Sequence, residues 1–373
     1  MDILAFAHLP SFSTSSFLNV SDVRLIDPAI DPRWDEFVLA HPFGWVTHLS
    51  GWKTAIESTF SHMHARYLVL YGRRGEISAA LPLFEVKSRV TGNRLVCLPF
   101  ATLCDPLVSS RQQVEVLLDA ARDMLKEVHA SYIEVRTHGS GPLMPDQRLG
   151  SNTLYRNHYL RLEAPLEGLM QSFHRSCVRQ RIARAIKSGL QIRMGAHESD
   201  LAEFYELHRS TRKRLGLPAP PRSLLMTLWH TFFPSGHLSL LLSKYEDRMV
   251  GGVIVFKFRD RVSGEFLGWD ERFRDVSPTH HLFWEAIKMA SREGRKIFDF
   301  GRSSSADTSL MTFKDRWGTS AKDLPSFYYP PYYGNRASEQ KRSFKYRLVR
   351  GMCRTLPDPA FRLLGSFCYR HMS

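Results

Sequence analysis

The segment Tyr67–Phe84, YLVLYGRRGEISAALPLF, has a counterpart about 173 residues later in Leu238–Phe258, LSLLLSKYEDRMVGGVIVFKF. Each is two apolar runs around a short polar turn, the pattern of a β-hairpin, with Ile77-Ser78-Ala79-Ala80-Leu81 matching Val250-Gly251-Gly252-Val253-Ile254. The segments downstream of the two hairpins also match. A strand, a helix and a further strand are expected at Leu95–Leu98, Gln112–Val128 and Tyr132–Val135, and again at Glu265–Trp269, Pro278–Glu293 and Ile297–Phe300. The second of these helices carries its own signals: Ser277 suits the N-cap, Pro278 the first turn and Gly294 the C′ position. Its apolar residues Leu282, Phe283, Ala286, Ile287 and Ala290 share one face. Repetition of order and spacing on this scale points to a duplicated α/β (α+β) plan.

A chain of 373 residues with 43% hydrophobic content can give each copy a core of its own. The polar stretch His138–Asn152, HGSGPLMPDQRLGSN, suits the crossover between copies. The expected organisation is a tail over 1–22, a first domain over 23–150, a second, catalytic domain over 151–333 and a basic amphipathic segment over 334–373. Tyr328, Tyr329, Tyr332 and Tyr333 are expected to pack as a final strand and turn. No basic n-region precedes an apolar run at the N-terminus, and no stretch approaches the roughly 18 to 20 apolar residues of a membrane span. Five scattered cysteines (97, 104, 177, 353 and 368) read as reduced thiols. The expectation is a cytoplasmic protein.

Lysine and arginine outnumber acids by 14, which calls for an anionic partner such as phosphate or a membrane face. From Arg336 to Ser373, nine cations face Glu339 and Asp358, so half of the excess is terminal. This segment suits peripheral contact with the inner face of the cytoplasmic membrane, or a helix packed on the second domain. A second basic element is the helix expected over Phe173–Ser188, with Val178, Ile182, Ala185 and Ile186 on one side and Arg175, Arg179, Arg181, Arg184 and Lys187 over the rest. It has no acid, so it reads either as a solvated face or as a phosphate-binding face, for tRNA or a nucleotide-linked acceptor.

The stretch Lys296–Gly318, KIFDFGRSSSADTSLMTFKDRWG, gathers the groups best suited to chemistry. A strand ending in Asp299 and Gly301 is expected to lead into a Ser-rich loop, after which Phe313-Lys314 begins a short element closed by Trp317-Gly318. Polar groups at a strand end are where α/β folds keep their sites. A lysine between aromatics acts strongly on a developing oxyanion or a phosphate; the alternative is a lysine that only covers aromatic packing. Trp269, Asp270 and Arg302 are further candidates for substrate contact, with Trp317. Sixteen histidines form no metal-ligand spacing and no triad signature, so no metal is expected.

Two tandem copies of helical pair, hairpin, strand, helix and strand resemble GCN5-related N-acetyltransferase domains. Each is then a mixed, mostly antiparallel sheet flanked by helices. FDFGRSSSADTSLMTFKDRWG resembles the C-terminal signature of the Fem-type transferases and their exopolysaccharide-associated relatives, in which a DFG-R-S stretch precedes an FKxxWG element. LPLFEVKSRVTGNRLVCLPF and SFHRSCVRQRIARAIKSGL extend the likeness over roughly residues 30 to 330. The resemblance implies that Lys314 takes part in transfer, and that Arg214, in Thr211-Arg212-Lys213-Arg214-Leu215-Gly216-Leu217, contacts a diphosphate. It implies an aspartate lining the N-terminal groove, for which Asp105 is the candidate, although Asp105 precedes its proline and can equally be a turn residue. The aromatic that the family carries a few residues after the arginine is missing here. So is the glycine-rich turn that cradles a CoA pyrophosphate, whose place is taken by Arg272-Phe273-Arg274-Asp275-Val276-Ser277-Pro278. The implied activity is acyl or aminoacyl transfer from aminoacyl-tRNA or acyl-CoA, without a bound cofactor, to an amine on a phosphate-bearing envelope or exopolysaccharide-related precursor. In that reaction Lys314, Asp299 and Asp105 are the catalytic candidates. An acetyl-CoA-dependent N- or O-acetyltransferase and a non-catalytic nucleic-acid or membrane-binding protein remain the alternatives.

Overall fold

The computed structural model describes residues 22–144, 147–335 and 344–371; the expected tail therefore lies, apart from Asp22, outside the described residues. The first half runs β1 (Val23–Ile26), α1 (Arg33–Ala40), α2 (Ser50–Thr59), β2 (Met63–Tyr71), β3 (Ile77–Val86), β4 (Arg94–Cys97), α3 (Arg111–Glu127) and β5 (Ile133–Arg136). Then come β6 (Gly150–Arg161), α4 (Leu166–Ser172) and α5 (Gln180–Lys187). The plan of the first half returns as β7 (Gln191–Met194), α6 (Glu198–Arg214), α7 (Arg222–Phe232), β8 (Leu238–Tyr245), β9 (Arg248–Phe258), β10 (Arg261–Trp269), α8 (Pro278–Arg292) and β11 (Ile297–Ser304). The chain closes with α9 (Thr308–Asp315), β12 (Ser320–Tyr329), α10 (Phe344–Thr355) and α11 (Asp358–His371).

Both expected hairpins form, and each is succeeded by the strand, helix and strand expected of it. The two copies share one twelve-stranded sheet in the order β1-β2-β3-β4-β5-β12-β6-β11-β10-β9-β8-β7. All neighbours are antiparallel except β4 with β5 and β10 with β11. At the centre the halves exchange strands: β12, late in the chain, lies between β5 of the first half and β6. Tyr328 is buried at the end of β12, and Tyr333 in the turn beyond it stacks on Tyr132 at 4.6 Å.

Strand residues alternate between two faces, and that alternation separates the cores. Tyr67, Val69, Phe84, Leu240, Ile254 and Phe256 enter a single cluster spanning both halves with Trp52 of α2, Phe204 of α6 and Phe232 of α7. Their neighbours Leu68, Leu70 and Leu83 pack under α3, and Leu241, Val253 and Val255 under α8 and α5. The α2–α7 seam is close: a Cβ on Gly51 would stand 2.5 Å from Thr231 Cγ2. Gly268 of β10 meets α6 more tightly still, with its missing Cβ 2.4 Å from the His208 nitrogen. A single large core shared across the seam makes the two copies one folding body.

Three local expectations are corrected. Ser277 does not cap α8 through its side chain; it sits in the left-handed region, and its buried hydroxyl has no partner. Pro278 does open α8, and Gly294 closes it with bonds from Gly294 N to Ser291 O and from Arg295 N to Ala290 O. The helix expected over Phe173–Ser188 begins as a π-turn at Arg175–Arg179 before α5, and Ile186, placed on its apolar side, is 55% exposed. Finally, the Ser-rich stretch is not a loop, because β11 continues to Ser304 by pairing with β6.

Candidate active site

β10 and β11 run parallel for only three residue pairs, Arg261–Ser263 with Ile297–Asp299. Beyond them β10 stays with β9 while β11 follows β6, and a wedge opens between the strands. A register shift between Asp299 and Arg302 marks the point of divergence. Gly301, at φ 72°, makes that irregularity possible. The lysine expected to begin a short element lies instead in the last turn of α9, and it reaches under the bulge. Lys314 Nζ donates to Gly301 O at 2.8 Å and to Arg302 O at 3.2 Å.

Lys314 is 5% exposed, and burial lowers its pKa to about 8 against the opposing charges of Asp299, Glu265 and Asp307. Asp299 is fully buried and committed: Oδ1 accepts from Gly301 N at 2.7 Å, and Oδ2 from Arg261 Nη1 at 2.6 Å and Asn157 Nδ2 at 2.9 Å. It holds the bulge in place. Arg302 lies over the Tyr155 ring at 4.7 Å. Glu265, on β10, passes unnoticed in the sequence, where an acid in a half-polar strand reads as solvent-facing. Among the described residues its hydrogen bond comes from Ser263 Oγ at 2.6 Å. Burial raises its pKa, with help from Asp299 and against Ser263, Arg302 and Lys314. Three cations (Arg261, Arg302, Lys314) and three carboxylates (Asp299, Glu265, Asp307) thus meet around the apex of the wedge. Asp299 is already committed to the bulge, which leaves Lys314 and Arg302 as the cations able to stabilise a developing oxyanion.

A second group lies at the far end of β10. Thr211 Oγ1 donates to Trp269 O at 3.0 Å and accepts from Trp269 N at 2.9 Å, fixing the strand end to α6. Arg214 then stacks on the Trp269 ring at 4.4 Å, with Glu271 3.6 Å from its Nε. Asp270 accepts from Arg272 N, Nε and Nη2 and starts a 3-10 turn over Glu271–Val276. Four residues of strand separate Trp269 from Glu265, roughly 13 Å. Arg214, Trp269 and Asp270 therefore line the mouth of the wedge, away from its apex.

The remaining candidates sit elsewhere. Trp317 is fully buried among Phe173, Phe283, Phe300 and Phe313, which removes it from substrate contact and makes it a core residue. Asp105 is no free base either: its Oδ1 accepts from His138 N, Gly139 N, Ser140 N and Ser140 Oγ at 2.7 to 2.8 Å, pinning the crossover loop. It borders a cavity of about 210 Å³ between the halves, with Phe43, Trp45, His138 and Arg261. Arg175 and Arg184 are exposed, while Arg179 and Arg181 are half-buried where α5 packs against the start of α8. None of the four meets a carboxylate among the described residues.

The two halves differ at this point. In the first, Arg136 straps the matching gap shut, donating to Leu98 O and Ala101 O at 2.9 Å each and to Cys97 Sγ at 3.1 Å. A turn with free N–H groups ahead of α8 would cradle a pyrophosphate, but here Phe273 N bonds Asp270 O and Ser277 N bonds Arg274 O.

A protein-family profile described as an acetyltransferase (GNAT) domain matches residues 172–315, which contain this wedge and end one residue after Lys314. FemX superposes with a TM-score of 0.66 at 17% identity, covering 79% of this chain and 94% of FemX. A tandem GNAT protein from the clavulanic acid biosynthesis pathway gives 0.54 at 10% identity, covering 82% and 97%. The chain has a tandem GNAT fold, which FemX shares. L-PGS from Bacillus licheniformis shares it at a TM-score of 0.55 and 14% identity, over 87% of this chain and 97% of that one. No curated protein matches in sequence. At such identities the likenesses speak for the fold alone. Among the described residues, no helix is long and apolar enough to cross a membrane.

Proposed function

We propose that this protein transfers an acyl or aminoacyl group to an amine of a phosphate-bearing cell-envelope or exopolysaccharide precursor. The observation that carries the reading is the meeting of Lys314, Arg302 and Glu265 where β10 and β11 diverge. There a buried lysine and an acid of raised pKa stand at the place that Arg136 fills in the first half. In the proposed reaction the amine nitrogen attacks the carbonyl carbon of an activated ester or thioester. Glu265 takes the proton lost by the amine, Lys314 and Arg302 stabilise the oxyanion, and the C–O or C–S bond then breaks with return of the proton to the leaving group. Asp299 positions the bulge and Arg214 anchors acceptor phosphate.

An aminoacyl-tRNA donor is favoured by two features: the turn before α8 bonds to itself, and Arg175, Arg179, Arg181 and Arg184, which meet no carboxylate among the described residues, flank it. A putative lysylphosphatidylglycerol synthetase from Agrobacterium fabrum shares the fold, and its name describes a product that joins an aminoacyl group to a phosphate-bearing lipid. The acetyltransferase description of the matched domain favours a second reading, an acetyl-CoA-dependent N- or O-acetyltransferase. Incubating the purified chain with radiolabelled aminoacyl-tRNA or acyl-CoA and an envelope-precursor extract tests both. Label should enter an alkali-resistant amide from the tRNA donor. Micromolar binding of acetyl-CoA by calorimetry, with label entering only from CoA, would replace the first reading by the second. Label from neither donor would dismiss both.

A further inference from the structure

The basic C-terminal segment is built into the body of the protein as two helices, α10 and α11. Inward, Cys353, Phe361, Gly365 and Cys368 are buried, and a Cβ on Gly365 would stand 2.5 Å from Ala219 O. Asp358 accepts from Lys213 Nζ at 2.6 Å and Arg209 Nη2 at 3.0 Å. At the far end of α11, Arg94 Nη2 donates to His371 O at 2.8 Å and His62 Nε2 to Arg370 O at 2.6 Å, while Tyr369 packs on Phe100 at 5.1 Å. The hairpin thus straps the second half to the first, and its outer face is held in a fixed shape.

That outer face is unusual in composition. Leu348 and Met352, one turn apart on α10, are 51% and 37% exposed, and Leu363 and Phe367, one turn apart on α11, are 74% and 52% exposed. With Leu215 at 47%, they make up five of the thirteen exposed large apolar side chains among the described residues, so exposure of this kind is concentrated here. The exposed cations Arg347, Arg354 and Arg370 alternate with them, and none makes an ion pair among the described residues. The sole acid of the two helices, Asp358, is taken by α6. Among the described residues the face thus carries cations and no free acid, so its complement must be anionic as well as apolar. A bilayer surface accepts the mixture, with apolar side chains at the acyl boundary and cations at the phosphates.

The position of this face matters as much. Arg350 Nη2 donates to Leu215 O at 3.3 Å, and Gly216, at φ 69°, leaves room for α10, since a Cβ there would lie 3.0 Å from Arg350 O. Leu215 directly follows Arg214, whose guanidinium stacks on Trp269 at the mouth of the wedge. The apolar and basic face therefore begins one residue from the proposed phosphate anchor.

We propose that the outer face of α10 and α11, with Leu215, docks on an anionic lipid bilayer and so holds the mouth of the wedge at headgroup level. The acceptor is then a lipid-linked phosphate precursor; this second statement rests on the function proposed above, whereas the docking does not.

The test is co-sedimentation of the full chain with vesicles of phosphatidylcholine, with or without about 30 mole per cent phosphatidylglycerol. The three exposed cations, without an ion pair among the described residues, predict binding to the anionic vesicles roughly 100-fold tighter than to neutral ones at low salt, falling as salt screens the charge. The double variant Leu363→Glu/Phe367→Glu alters exposed side chains alone; with an unchanged melting temperature it should lose anionic binding by at least about tenfold. Arg347→Glu/Arg354→Glu should lose the preference for phosphatidylglycerol. Equal binding to both vesicles, no binding, or full binding by the folded Leu363/Phe367 variant overturns the docking. So does a surface that binds bulk tRNA but no vesicles, with the arginine variant abolishing the tRNA binding. Vesicle binding is measured without any acyl donor. Docking without transfer would leave this inference standing and dismiss the function, while transfer without docking would do the reverse.

Discussion

Replacing Lys314 by methionine separates a catalytic lysine from a structural one, because the structure predicts opposite sizes of effect on activity and on stability. In the folded protein the ammonium is buried and its pKa falls from 10.5 to about 8. At neutral pH this shift costs about 3 kcal/mol, at about 1.4 kcal/mol per pH unit. The sign comes from proton binding: between pH 8 and 10.5 the unfolded chain keeps a proton that the native state has lost, so stability rises with pH across that window. Methionine removes the penalty but strips Gly301 O and Arg302 O of their donor, at about 1–3 kcal/mol each. The terms nearly cancel, and Lys314→Met should stay folded within about 2 kcal/mol of the parent at pH 7. Denaturant unfolding at neutral and alkaline pH should show the parent, unlike the variant, gaining stability between about pH 8 and 10. Turnover, by contrast, loses a cationic donor at the oxyanion, a fall of about 10²- to 10³-fold. Because the charged form is the active one, the parent's kcat/KM should also decline above about pH 8. A folded Lys314→Met variant with activity within about threefold of the parent refutes the catalytic role and leaves Lys314 as a cap for the bulge carbonyls.

The same geometry predicts three further outcomes. Glu265→Gln should lower kcat by roughly 10²- to 10⁴-fold and abolish the acid limb of the pH–rate profile, since the parent loses its base as pH falls through the raised pKa; an unchanged acid limb would point to another base. Gly268→Ala places a methyl 2.4 Å from the His208 backbone nitrogen and should cost about 3 kcal/mol of stability by denaturant unfolding, whereas an unshifted transition would mean that α6 does not lie so close to β10. Asp105→Ala removes four hydrogen bonds to one carboxylate oxygen and should destabilise the chain by about 3–4 kcal/mol; the residual folded fraction should keep the parent's kcat, and a kcat loss at full folding would return Asp105 to the chemistry.

The parts of the fold legible in the sequence are those decided locally. The hairpins announce themselves by apolar runs around polar turns, and α8 by Pro278, Gly294 and one apolar face. The extension of β11 is not legible, since Gly301-Arg302-Ser303-Ser304 has weak strand propensity and becomes strand only by pairing with Asn157, Arg156 and Tyr155 of β6. The strand exchange at the centre of the sheet is equally non-local, because β12 and β5 meet across nearly two hundred residues. At the site, resemblance points to Lys314, but its placement under a bulge depends on that same pairing. Trp317 misleads because its neighbour Lys314 suggests a shared cleft, whereas the two side chains leave α9 and the turn after it in different directions, one to the bulge and one to the core. Glu265 gives no signal beyond its charge; only the divergence of β10 from β11 turns that charge into a candidate base.

If the wedge holding Lys314 and Glu265 attaches an acyl or aminoacyl group to an envelope precursor, the product must be visible in the envelope itself. Mass profiling of envelope glycans and lipid-linked precursors tests this most directly, in cells lacking the gene and complemented with the parent chain or with folded Lys314→Met. One amide-linked acyl or aminoacyl mass should appear with the parent and be absent from both the deletion and the variant. The same mass restored in full by Lys314→Met, or identical profiles with and without the gene, would contradict the account.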